Sequence, residues 1–272
     1  MVSNPSIKDN KEDNIEGKLQ SHEKGLVEQF RKHPILAHLS NLSDSKLYEI
    51  LLQRRFLSVL GFTPAFDLAI DNLLGEYPKS VVRRILREEY PLNAPSHRED
   101  LVSDLRKMGI PHHAILLSNP TMETSKAVQG VYTLVSPITT FDLSDVIVVS
   151  ALRMVGEVFV SEEYGLLLPE LERRFGLTKE ISVFYWPHFE HDSDHADQLK
   201  EVRSRLIQSG DPSVSSRAVR MLGCDSPQRA EKEILGEFLG WGTLVVNGAK
   251  KAMDQAYEVK TGFYDQFVKK ER

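Results

Sequence analysis

The 272-residue chain is predicted to be all-α, on three observations. From Leu26 onward the apolar residues recur at intervals of three and four. Strict alternation, the mark of a half-buried strand, hardly occurs. Capping residues and prolines stand where the helical period begins and stops. A hydrophobic share of 41% with 27% charged residues suits one large core and excludes a disordered or fibrous chain.

Residues 1–24 are polar and mixed in charge, without the apolar core of a signal peptide, and read as a disordered tail before a single helical domain over 25–272. The first helices are expected over 25–34 and 44–74, the second capped by Ser43 and kinked or broken near Gly61 and Pro64. Pro78 suits the first turn of a helix that runs to Tyr90 and stops at Pro91. Ser96 and Glu99 form a capping box for a helix that ends at Gly109. A helix over 120–135 follows, then a long apolar one over 141–175, entered through Asp142 or Ser144 and closed by Gly176. Pro187 opens the next, which runs to Ser209. A short helix at 215–222 precedes a final long one over 227–265, where Gly236, Gly240, Gly242 and Gly248 permit close approach of a neighbour. The sum is a bundle of seven or eight helices.

Charge narrows the function. The 34 Lys and Arg are spread among 39 Asp and Glu for a net −5, with no basic stripe to follow a phosphate backbone, so no nucleic-acid partner is expected. Apolar runs such as Val146–Val149 and Leu166–Leu168 fall far short of the ~20 residues that span a bilayer, so no membrane partner is expected either. The single cysteine, Cys224, can form neither an internal disulfide nor a thiolate cage, which suits the reducing cytoplasm and leaves any metal to His, Asp and Glu.

Three of the nine histidines fall within eight residues, in FYWPHFEHDSDHADQLKEVRSRLI. Stepping back from Leu206, Val202 and Leu199 by threes and fours lands on His195, Asp192 and His188, so the core-facing stripe turns polar. Burying those groups is costly unless a cation joins them, and imidazole with carboxylate suits iron, manganese or zinc. The alternative is a solvated first turn. His191 and Asp194 lie off the stripe and read as exposed. Further ligands are sought where a polar group interrupts an apolar face. Glu157 does so within ALRMVGEVFV, unless it pairs with Arg153 one turn earlier. His97 shares a face with Leu101, Leu105 and Met108, and in REEYP spacing does not separate Glu88 from Glu89. No Glu-x-x-His, His-Glu-x-x-His, EF-hand, P-loop, G-x-G-x-x-G or G-x-S-x-G occurs, so ferritin-like, zinc-protease, nucleotide and serine-hydrolase chemistry lack support.

These residues resemble the haem-oxygenase-like di-iron oxidases and oxygenases, which share a fold with haem oxygenase but hold two non-haem irons. The resemblance rests on a Glu and a His a short interval apart (Glu89, His97), a lone Glu in a central helix (Glu157), and His-x-x-x-Asp-x-x-His at His188, Asp192 and His195, over roughly residues 30–265. Glu89 is taken over Glu88 because it lies nearer His97. The resemblance implies a haem-oxygenase-like bundle, two Fe(II) ions as cofactors, and O2 as co-substrate. It further implies a small carboxylate-bearing substrate, amino-acid-like rather than fatty, that undergoes N-oxygenation or oxidative carbon–carbon cleavage in natural-product metabolism. Arg153 and Tyr164, on the face of Glu157, are candidates to hold a substrate carboxylate or donate a proton, against plain ion pairing or core packing. A homodimer is allowed. Two other functions compete: a metal-independent relative of the same fold, of thiaminase or cofactorless-oxidase type, and a noncatalytic helical interaction protein. Against the thiaminase type, Cys224 sits in a turn-like GCDSP outside the central helices; the interaction protein leaves the polar stripe unexplained.

Overall fold

The computed structural model describes residues 9–89, 91–136, 145–209 and 241–268, and among them there are helices and no strands. The expected starts at Asp142 or Ser144, the end at Tyr90, the helix at 215–222, the first part of the last helix with Gly236 and Gly240, and Cys224 lie outside the described residues.

Helix α1 covers Asp9–Arg31 and corrects the disordered tail of 1–24 from residue 9 onward. Leu19, Leu26 and Phe30 bury a narrow apolar stripe, and Glu23 on the same helix is buried as well. Its acids are matched by cations on other helices: Arg203 pairs with Glu16 at 2.6 Å and also with Glu23, and Arg153 pairs with Glu23 at 3.1 Å. The polar sequence of this helix conceals its packing, because partners elsewhere in the chain make the charged groups buriable.

After a single turn, α2 (Pro34–Ala37), Ser43 accepts a hydrogen bond from the Lys46 N–H and starts α3 (Asp44–Phe56). The kink expected near Gly61 and Pro64 takes the form of a π-helical segment, Leu57–Phe62, followed by α4 (Thr63–Asn72) with Pro64 in its first turn. Helix α5 is Glu76–Glu89. The Ser96–Glu99 capping box forms as expected at the head of α6 (His97–Lys107), and Gly109 takes φ +87° just beyond it. Helix α7 (His112–Leu117) is too short to leave a periodic signal in the sequence. Thr121 caps α8 (Met122–Val135). A second π segment, Arg153–Val158, divides the long apolar helix into α9 (Asp145–Leu152) and α10 (Phe159–Phe175), which Gly176 closes at φ +66°. Helix α11 is Tyr185–Ser209 and α12 is Trp241–Val268.

Helix α12 packs along α9, α8 and α1, while α11 packs on α10, α9 and the second π segment. Close approach at α12 depends on glycine as predicted for Gly248, whose Cβ would stand 2.6 Å from Ile147. No helix among the described residues is long and apolar enough to cross a membrane.

The head of α11 is fixed from another helix. Asp104 of α6 is fully buried and accepts hydrogen bonds from the N–H groups of Val183, Phe184 and Tyr185 and from the Ser182 hydroxyl at 2.7 Å. An anionic carboxylate at a helix N-terminus satisfies donors that have no intrahelical partner. Asp104→Ala is expected to cost about 3 kcal/mol through the lost charged hydrogen bonds. In a chain of this size that lowers Tm by about 6–12 °C. Thermal unfolding followed by circular dichroism checks it, and an unchanged Tm would show that the cap contributes nothing.

Candidate metal centre

The polar stripe of α11 points into the bundle, as its spacing predicts. Asp192 and His195 are buried, continuous with buried Leu199, Val202 and Leu206, and His188 is partly buried one turn earlier. Helix α5 brings Glu89 from its last residue, α6 brings His97 from its first, and the second π segment brings Glu157, 4% exposed. The six side chains gather as two triads, Glu89–His97–His188 and Glu157–Asp192–His195, each offering ligand atoms within 4.8 Å of one another. Within them a Glu89 oxygen lies 3.1 Å from His97 Nδ1, and a Glu157 oxygen 3.5 Å from His195 Nδ1. The His97 and His188 rings meet edge to face at 4.4 Å.

Hydrogen bonds outside the triads set the orientation of two imidazoles. His188 donates from Nδ1 to the Phe184 carbonyl at 2.8 Å, leaving Nε2 free for a ligand. His195 Nε2 lies 2.7 Å from a Glu88 oxygen, which leaves Nδ1 facing Glu157. The structure thus divides the two adjacent glutamates: Glu89 joins His97, and Glu88, half exposed, braces His195 from the solvent side.

Burial and crowding of like charges dominate the electrostatics. Burial pushes the carboxyls of Asp192 and Glu157 up, Asp192 well above the usual range, and the neighbouring carboxylates, Glu89 among them, add to it. Burial also presses His188 down to about 4. For His195 burial acts the same way but is outweighed by Glu157 and Glu88, and the imidazole rises to about 9. Glu89, which burial alone would raise, is held low by His97 and His188. Asp192 Oδ2 is buried with no hydrogen-bond partner, an arrangement that costs several kcal/mol unless a cation completes it. A set of three carboxylates and three imidazoles without thiolate fits divalent iron or manganese.

A narrow cavity of about 60 Å³ opens onto both triads. Glu89, His97, Glu157, His188 and Asp192 form its polar side, and Phe62, Phe66, Val160 and Leu101 are among its apolar walls. Tyr164 lines it, fully buried, with its ring 6.3 Å from His188. Arg153 does not line it. Its guanidinium is taken by Glu23 and donates to the Ala196 carbonyl, so it holds α1 and α11 together; it neither faces the cavity nor pairs with Glu157. His191 and Asp194 are exposed, as their position off the stripe predicts.

One group of residues beside the cavity is absent from the sequence-based candidates. Arg54, Glu163, Lys260 and Tyr264 are all buried: Glu163 accepts from Arg54 at 2.7 Å and from Lys260 at 2.6 Å, and the Tyr264 hydroxyl donates to it as well. Arg54 also reaches the Tyr164 hydroxyl at 3.5 Å and donates to Ser58, which lines the cavity. The signal that marks Glu157, a charge interrupting an apolar face, is present at Arg54 between Ile50 and Leu57.

No protein-family model and no curated protein matches the chain. Solved structures do. One is a domain of unknown function with a haem oxygenase-like fold from Shewanella denitrificans OS217, with a TM-score of 0.61 and 16% identity over 94% of this chain and 92% of that one. Another is a TenA family transcription regulator from Silicibacter sp. TM1040, with a TM-score of 0.52 and 12% identity over 92% of this chain and 94% of that one. At such identities the likeness shows the fold alone, and the fold is haem oxygenase-like.

Proposed function

We propose that this haem oxygenase-like bundle is a non-haem di-iron enzyme that uses O2 to oxidise a small carboxylate-bearing substrate. The carrying observation is the pair of His/carboxylate triads on one cavity, one half-buried and one buried, with Asp192 Oδ2 of the buried triad left unpaired. Glu89, His97 and His188 would hold one Fe(II), and Glu157, Asp192 and His195 the other. When bound, the ferrous pair supplies the electrons that reduce O2.

The chain's own residues orient and exclude. The Phe184 carbonyl and Glu88 fix which nitrogens of His188 and His195 face inward. Phe62, Phe66 and Leu101 give the cavity an apolar wall opposite the triads, which lowers the local dielectric and strengthens charge interactions beside it. Tyr164 places a hydroxyl close by, held protonated by burial, which raises it well above an ordinary phenol. By resemblance the reaction is N-oxygenation or oxidative carbon–carbon cleavage of an amino-acid-like compound in cytoplasmic natural-product metabolism.

Anaerobic titration with Fe(II), followed by iron quantitation and an oxygen electrode, tests the reading. Two irons per chain and ferrous-dependent O2 uptake are expected. Wild-type protein that binds no iron under these conditions would refute it and favour the metal-independent alternative.

A further inference from the structure

Arg98, second residue of α6 and next to His97, lines two spaces at once: the cavity over the triads and an outer groove. The groove also holds Arg55, Arg106, Lys107, Val102 and Leu116. Its charges are unequally matched. Lys107 pairs with Asp104, and Glu99, the acid on the groove wall, is committed to the Ser96 capping box at 2.8 Å. Arg98 makes no ion pair or hydrogen bond among the described residues. Arg55 donates from Nη2 to the Ile115 carbonyl and to Ser118, yet its Nε–H is buried without a partner. Burial, with Arg98 adding to it, lowers the affinity of Arg55 for its proton, the mark of a cation that an anion would stabilise.

We propose that Arg98 and Arg55 form a carboxylate subsite where groove and cavity meet, which holds the acid group of the substrate outside while its apolar body reaches inward past Leu101 and Phe66. The proposal rests on the di-iron reading for what the body meets, but the subsite itself needs no metal. Guanidinium groups are suited to a carboxylate because their planar donor fork matches its two oxygens. Seated beside both, the anion relieves the repulsion between two cations close enough to perturb each other. The cavity is suited to the rest of such a molecule: Phe62, Phe66, Val160 and Leu101 offer an apolar wall to its carbon chain, and the carboxylates opposite accept a polar or cationic group on it. Anchored this way, the substrate presents a position along its body to the triads, and its carboxyl carbon stays at the mouth.

Isothermal calorimetry on the full chain, metal-free and after anaerobic loading with Fe(II), tests this with hexanoate, 1-hexanol and inorganic phosphate. Hexanoate is expected to bind more tightly than either of the others in both forms. Arg98→Ala should weaken hexanoate roughly tenfold or more, the loss of a charged hydrogen-bonded partner, and Arg98→Lys should recover part of it. Hexanol should not respond to either change. Hexanoate affinity unchanged in Arg98→Ala, or phosphate bound as tightly as hexanoate, would overturn the subsite. Iron content measured on the same samples separates the two claims. Iron retained with Arg98-independent hexanoate binding defeats only the subsite, whereas Arg98-dependent hexanoate binding without iron uptake defeats only the di-iron reading.

Discussion

Replacing His195 with alanine is expected to abolish O2 uptake by the ferrous protein while helical content stays at the wild-type level. His195 is the imidazole of the deeper triad and the neighbour of both Glu157 and Glu88. Its loss opens the shell of one metal, and even outer residues of such sites change metal affinity by about 10–100-fold, so a direct ligand should cost more. The fold survives for two reasons. Leu199, Val202 and Leu206 still pack α11, and Glu157, already pushed toward its neutral form by burial, can take up a proton when its imidazole partner is gone. Iron quantitation, an oxygen electrode and far-ultraviolet circular dichroism read the three quantities separately. A variant with full iron content and turnover would remove His195 from the ligand set and with it the deeper triad.

The largest loss of stability is expected from Glu163→Ala. Glu163 is the acid shared by Arg54 and Lys260, and all three are buried, so its removal strands two cations in the interior. Breaking a buried pair in this way costs about 3–5 kcal/mol. Lys260→Met should cost less, since Arg54 and Glu163 remain paired. Urea unfolding of both variants checks the order, and equal effects would count against the shared-acid account. The same group predicts acid sensitivity. Burial would raise the Glu163 carboxyl, but Arg54 and Lys260 outweigh it and hold it at about 2, against 4.5 for an ordinary glutamate. The folded state therefore binds the carboxylate proton less readily than the unfolded state. Its stabilisation, on the order of 3 kcal/mol, is complete above about pH 4.5 and disappears as the pH falls toward 2. Glu163→Gln should flatten that part of the stability profile.

The elements most legible in the sequence are those whose signals are local. Ser43, the Ser96–Glu99 box and Gly176 announce helix ends through their own backbone groups, and all three stand at the expected places. The stripe of α11 is legible because three polar groups replace apolar ones without a change of period. Three features depend on distant partners and are not. Helix α1 is stable because Arg153 and Arg203, far along the chain, neutralise its acids. Arg153 itself is close to Glu157 in sequence, but the stronger partner, Glu23, lies 130 residues away. Glu88 and Glu89 differ by about 100° around α5, and spacing alone cannot say which face meets α11 and which meets α6.

The second π segment has a consequence in genetic terms. A π turn stores one residue more than an α turn, so the rod from Asp145 to Phe175 behaves as an ordinary helix that carries a single extra codon in the middle. An in-frame deletion of three nucleotides within 153–158 would remove that stored residue and let the turn close as ordinary α-helix, so the two halves would keep their orientation while the side chains of the joint are re-aimed. Val146 and Val149 upstream and Tyr164 and Leu167 downstream are buried on either side of that joint and would keep their neighbours, so the effect falls on the joint. Glu157 stands at the joint itself. One codon thus separates a plain packing helix from one that delivers a carboxylate to the centre of the bundle.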